Sequence, residues 1–158
     1  MAGSTMRALP RACAVGVTAA GDEAVLRHVA ELAIRAGHAT PSFADALVAR
    51  ERAYPTALPT LVPVAIPHAD PGHVLEAGFA VATLARPTSF GVMGTDDVRV
   101  DLDVVIVLLV TEAHAQVEVL AALVDVVQRD GWDGALRDAR TSDELAAAFD
   151  ALLDAPAS

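Results

Sequence analysis

DVVIVLLV, residues 103–110, decides how the chain folds. After one aspartate come seven consecutive aliphatic residues, most of them β-branched, with no polar alternation. A strand with one wetted face alternates; a run like this belongs to a strand covered on both faces, so it predicts the middle of a sheet with helices above and below. Downstream, Val117, Leu120, Leu123, Val124 and Val127 recur at helical spacing, predicting a helix over residues 115–129 with these side chains buried. A short helix over 132–139 follows, and then one opened by the capping box Thr141 to Glu144 and carrying Leu145, Ala148, Phe149 and Leu152.

Upstream, residues 78–84 read as a strand ended by Arg86-Pro-Thr-Ser, and 91–97 as a turn-rich loop. Residues 61–66 read as a short strand between prolines. Near the start, 13–17 is a strand candidate. A helix over 22–36 buries Val25, Leu26, Val29, Leu32, Ala33 and Ala36 and stops at Gly37. Thr40 and Pro41 supply an N-cap and N1 for a second helix to about Arg52, with Phe43, Leu47 and Val48 inside. The order β-α-α-β-β-β-α-α-α predicts an α/β fold: one domain over residues 9–155, a mixed sheet with helices on both faces, preceded by a flexible terminus over residues 1–8.

The 158 residues are 54% hydrophobic, enough for one sizeable core. A net charge of -10, from 21 acidic and 11 basic residues, argues against nucleic acid or an anionic membrane surface as partner and favours a basic protein. Cys13 is the only cysteine, which excludes an internal disulfide and a multi-thiolate zinc site and fits a reducing cytoplasm. No apolar run approaches the roughly 20 residues of a membrane span. Nucleotide-binding glycine motifs and the serine hydrolase elbow are absent from the sequence.

That leaves histidine. His28 and His38, in and just after the first helix, read as surface residues. His68, Asp70 and His73 share one turn and suggest a metal clip, but without a fourth ligand the reading is that no metal or other cofactor is bound. His68 itself follows Pro67 at the end of the strand over 61–66. Proline fixes φ and supplies no N–H, so the chain leaves the ladder there in a defined direction, with His68 exposed and well oriented.

The segments ALVARERAYPTALPTLVPVAIPHAD, LARPTSFGVMG and VVIVLLVTEAHAQVEVLAALVDV, in this order, resemble the IIA phosphocarrier domains of the bacterial phosphoenolpyruvate-dependent sugar phosphotransferase system. They fall in its fructose and mannitol superfamily, with the phosphotransferase/anion-transport fold, closest to the galactitol-type branch. The resemblance implies that His68 takes a phosphoryl group from the carrier HPr and passes it to a cysteine of the IIB component, as a cytoplasmic protein that meets the membrane only through IIB and IIC. It implies Arg50, in the R-E-x-x-x-P-T element, as the phosphate-binding cation, with Arg52 a weaker substitute and Thr56 and Glu51 as further candidates. Where fructose and mannitol members carry a second histidine, this chain has Gln116, and His114 lies two residues earlier. A regulatory phosphoprotein is the second reading and a metal-dependent hydrolase using His68, Asp70 and His73 the third.

Overall fold

The computed structural model describes residues 6–156. Its sheet has five strands in the order β1 (Ala14–Val17), β4 (Gly78–Gly91), β5 (Arg99–Leu109), β3 (Val64–Ala65) and β2 (Ala57–Leu58). β5 is central, as the aliphatic run predicts. It pairs antiparallel with β4 and parallel with β3, while β1 lies parallel to β4 and β2 antiparallel to β3. The sheet is therefore mixed.

Alternate residues of the central strands feed two cores. Ala80, Ala82, Val105, Val107 and Leu109 face α1 (Asp22–Arg35) and α2 (Phe43–Ala53). Phe79, Val81, Val104, Ile106 and Leu108 face α3 (Ala113–Val127), α4 (Gly134–Asp138) and α5 (Ser142–Asp154). Phe79 and Phe149 stack in a tilted pair, centroids 5.0 Å apart, which seats α5 on its face of the sheet. The Thr141 hydroxyl accepts the Glu144 N–H, as its capping motif predicts; the Glu144 carboxylate reaches back to the N–H of Arg140, one residue before the cap.

Several sequence expectations are corrected. β4 runs through Arg86-Pro-Thr-Ser to Gly91, because the ladder shifts register between Thr83 and Thr88 and Pro87 lies within that irregular stretch, where a bulge tolerates a residue without an N–H. The strand expected over 61–66 shrinks to Val64–Ala65 between Pro63 and Pro67, and Ala57–Leu58 forms a further strand too short to show a period. α2 begins at Phe43, after a turn in which the Thr40 carbonyl accepts the Phe43 N–H. α3 begins two residues early and buries Val119, Leu123, Val126 and Val127, leaving Val117 exposed. Its apolar residues almost encircle it, so their spacing admits more than one buried face.

Residues 7 and 8, expected to belong to a flexible terminus, are held in place. Residues 1–5 lie outside the described residues, but the Ala8 N–H donates to Asp150 at 2.8 Å and Arg7 pairs with Asp154 at 2.6 Å. Leu9 then packs over Gly78 so closely that a Cβ there would meet Leu9 Cγ at 2.5 Å and the Arg7 carbonyl at 2.8 Å. Gly78→Ala should therefore cost about 1–3 kcal/mol of stability by overpacking, read as a lowered midpoint in urea titration.

Candidate functional site

His68 lies where the short strand β3 leaves the sheet. The Leu108 N–H donates to the Pro67 carbonyl at 2.9 Å, and His68 itself bridges Leu108 in parallel register. Pro67 ends the regular ladder while its carbonyl still holds the chain against β5. The imidazole is not exposed as the sequence suggests: only 7% of the residue's surface remains accessible.

Its Nδ1 lies 3.1 Å from the Ile66 carbonyl oxygen. A carbonyl can only accept, so Nδ1 carries the proton and Nε2 keeps the free lone pair. Burial lowers the pKa of His68 from its ordinary value near 6.5, and the positive charge of Arg50 lowers it further, against the Ile66 hydrogen bond and the charge of Asp70. A neutral ring with one nitrogen free at pH 7 is a nucleophile.

Arg50, in the last turn of α2, donates from Nη1 to Asp70 at 3.2 Å and places its guanidinium 5.1 Å from the centroid of Tyr54. Tyr54 is not among the residues that the sequence motifs mark; its one signal is its position four residues after Arg50 at the helix end. The Arg50 Nε is buried without a hydrogen-bond partner. The expected substitute, Arg52, is paired instead with Glu23.

Thr56 and Glu51 are placed differently from the reading that Thr56 offers a hydroxyl to a ligand. Thr56 is buried; its N–H and hydroxyl donate to the two oxygens of Glu51 at 2.9 and 2.8 Å, and its Oγ1 accepts the Ile66 N–H at 3.2 Å. These bonds fasten the end of α2 to the strand that delivers His68. Burial pushes the Glu51 carboxyl up to about 7, against the hydrogen bonds from Thr56.

The parallel bridge at Leu108 places His68 near the end of β5 from which the chain turns into α3, so Gln116 comes to the same end of the sheet. Its amide Nε2 is buried and unpartnered, whereas His114 is exposed and pairs with Glu112 at 3.1 Å. The metal-clip residues are dispersed: Asp70 turns to Arg50 and His73 bonds to Ser42 at 2.8 Å. Among the described residues, no three His, Cys, Asp or Glu side chains are grouped to hold a metal ion. His28 is exposed as expected, but His38 is buried, its Nδ1 2.5 Å from Glu76, because its backbone carbonyl also anchors Leu75 and Glu76.

The model of the family described as phosphoenolpyruvate-dependent sugar phosphotransferase system, EIIA 2, matches residues 12–151. The chain belongs to this family. As an EIIA 2 domain it is a phosphotransferase component. No curated protein sequence matches it.

The EIIA 2 assignment agrees with solved structures of similar fold. The crystal structure of IIA mannitol from Escherichia coli superposes with a TM-score of 0.69 at 21% identity, covering 87% of this chain and 96% of that one. The IIA chain in the Escherichia coli complex of enzyme IIAMtl with phosphorylated enzyme IIBMtl gives 0.68 at 22% identity, covering 89% and 96%. The nitrogen regulatory protein IIA-Ntr from Neisseria meningitidis gives 0.65 at 23% identity, covering 89% and 94%.

Proposed function

We propose that this EIIA 2 domain, spanning about residues 9–155, is a phosphocarrier in which His68 Nε2 accepts a phosphoryl group from phosphohistidine on HPr and passes it to a cysteine of a IIB protein. The observation that carries this reading is a neutral imidazole, Nε2 free, that feels the charge of Arg50, while Arg50 and Gln116, the latter at the same end of the sheet, each keep a buried donor without a partner. Only four buried side-chain nitrogens or oxygens among the described residues lack a hydrogen bond, and two of them belong to Arg50 and Gln116. An unsatisfied buried donor costs about 1–3 kcal/mol, a cost that phosphoryl oxygens bound to them would relieve.

The steps then follow. Nε2 attacks phosphorus in line as the phosphorus–nitrogen bond to the HPr histidine breaks. The ring becomes a phosphoimidazolium whose charge is spread over both nitrogens and stabilised by the Nδ1–H bond to Ile66. Arg50 and Gln116 bind the equatorial oxygens of the loose transition state. In the second half, a IIB thiolate attacks the same phosphorus and neutral His68 leaves with its Nδ1 proton in place. A metal has no part in either half, so chelators should leave transfer unchanged.

The galactitol-like segments and the glutamine at 116 support a polyol as the transported sugar, which the membrane IIC component would bind. A cytoplasmic location belongs to the same reading, because the HPr and IIB partners it names act there. No helix among the described residues is long and apolar enough to cross a membrane. The fold match to a nitrogen regulatory IIA keeps a signalling role as the second reading. Passage of label from the phosphorylated protein to a IIB protein encoded beside it supports transport; label that IIB never accepts supports signalling.

Single-turnover transfer from phospho-HPr tests the division of labour. Gln116→Ala should slow it about tenfold, the loss of one neutral hydrogen bond of roughly 1.4 kcal/mol. Gln116→His should stay active and His114→Ala should match the wild type. A large loss in His114→Ala with none in Gln116→Ala would reverse the assignment.

A further inference from the structure

We infer that Glu51 is a positioning residue for His68, acting through Thr56 and Ile66. The inference rests on the phosphocarrier reading and concerns a residue that touches neither His68 nor its phosphoryl group. Glu51 Oε2 accepts the Thr56 N–H, Glu51 Oε1 accepts the Thr56 hydroxyl, Thr56 Oγ1 accepts the Ile66 N–H, and the Ile66 carbonyl accepts His68 Nδ1–H. Every donor in this chain has one acceptor and the direction of donation is fixed at each link. The last link decides which imidazole nitrogen is nucleophilic.

The arrangement requires a carboxylate. Both donors on Thr56 point at Glu51, so both Glu51 oxygens must accept. A glutamine offers one acceptor, and a protonated glutamate would itself donate to Thr56 Oγ1, leaving the threonine hydroxyl proton without a partner. Because Glu51 follows Arg50 in α2, the same bonds set the distance between the cation-bearing helix end and the histidine-bearing strand exit. The chain therefore couples the two groups that must meet across one phosphoryl group, where small misplacements cost large factors in rate.

The charge state of Glu51 is open to titration. Its carboxyl lies at about 7, raised by burial and, more weakly, by Asp22 of α1, with the two Thr56 hydrogen bonds and then Arg99 of β5 opposing. It lines a cleft of about 210 Å³ in which Glu23, Arg52, Asp96 and Asp97 also stand, so protons reach it from solvent. As pH falls through about 7, Glu51 is protonated and the chain of donors breaks; His68 takes up its own proton only below its ordinary 6.5. The phosphorylation rate should therefore fall in two limbs, the upper belonging to Glu51.

The experiment measures transfer from phospho-HPr between pH 5.5 and 8.5 for the wild type, Glu51→Gln, Thr56→Val and Thr56→Ser, with thermal melting as the control for folding. Glu51→Gln and Thr56→Val should be slowed about tenfold to a hundredfold at pH 8. Glu51→Gln should also lose the upper limb, and Thr56→Ser, which keeps the hydroxyl, should stay close to wild type. Wild-type rates and an unchanged profile in Glu51→Gln and Thr56→Val overturn the inference. If either variant fails to fold, nitrogen-15 spectra of the wild-type His68 ring decide. The Nδ1–H form should dominate at pH 8 and the ring shifts should change with a midpoint near 7; ring shifts flat through pH 7 overturn it. A wild type that HPr cannot label refutes the phosphocarrier reading instead, and the ring spectra still decide the role of Glu51.

Discussion

His68→Ala should abolish phosphoryl acceptance from HPr while leaving the fold intact. The substitution removes the only group in the site that combines a free lone pair with a neutral charge at pH 7, and no neighbour can replace it. The guanidinium of Arg50 has no lone pair to offer, Asp70 is committed to Arg50, and His73 is held by Ser42. The ring is buried, so its loss leaves a small cavity, but the backbone bond from Leu108 to Pro67 persists and keeps the strand exit in register. Circular dichroism should match the wild type, and label from phosphoenolpyruvate through enzyme I and HPr should be undetectable. Residual labelling at a tenth of the wild-type rate would mean that another side chain is the acceptor.

Arg50→Ala should slow transfer by about 10²–10³, the range for deleting one preorganised donor aimed at developing charge. The guanidinium needs little reorganisation to act. Tyr54 supports its face, Asp70 holds Nη1, and the unpartnered Nε is already desolvated. Its pair with Asp70 is half-exposed and worth little as a source of stability, so the variant should melt near the wild type and the loss should appear in rate. Arg50→Lys keeps the charge without the planar fork and should recover only part of it. Equal rates in wild type and Arg50→Ala, measured by rapid quench, would remove Arg50 from the site.

How far the sequence revealed this follows from the range of each interaction. The aliphatic run ending at Val110 announced the central strand, because burial on both faces excludes polar residues locally. α1 and the Thr141 cap were equally legible, being set by neighbours within four residues. Pro87 misled, since its tolerance depends on a register shift against β5 that the sequence of β4 alone does not contain. α3 differs for another reason: its near-uniform apolar surface gives no phase, so the spacing points Val117 inward although it stands 72% exposed. At the site, His68 and Arg50 are legible through motif resemblance. The burial of His68 and the engagement of Thr56 by Glu51 depend on packing between α2, β3 and β5, which no spacing encodes.

The most direct test of the phosphocarrier reading is the identity of the phosphorylated atom. The protein is incubated with phosphoenolpyruvate, enzyme I and HPr, then examined by nitrogen-15 and phosphorus-31 spectroscopy and by peptide mapping under alkaline conditions, where phosphohistidine survives. The geometry predicts one acid-labile phosphoryl group per chain, on His68, bonded to Nε2, with Nδ1 still protonated toward Ile66. Phosphate on Nδ1, on any residue other than His68, or on none, would contradict it.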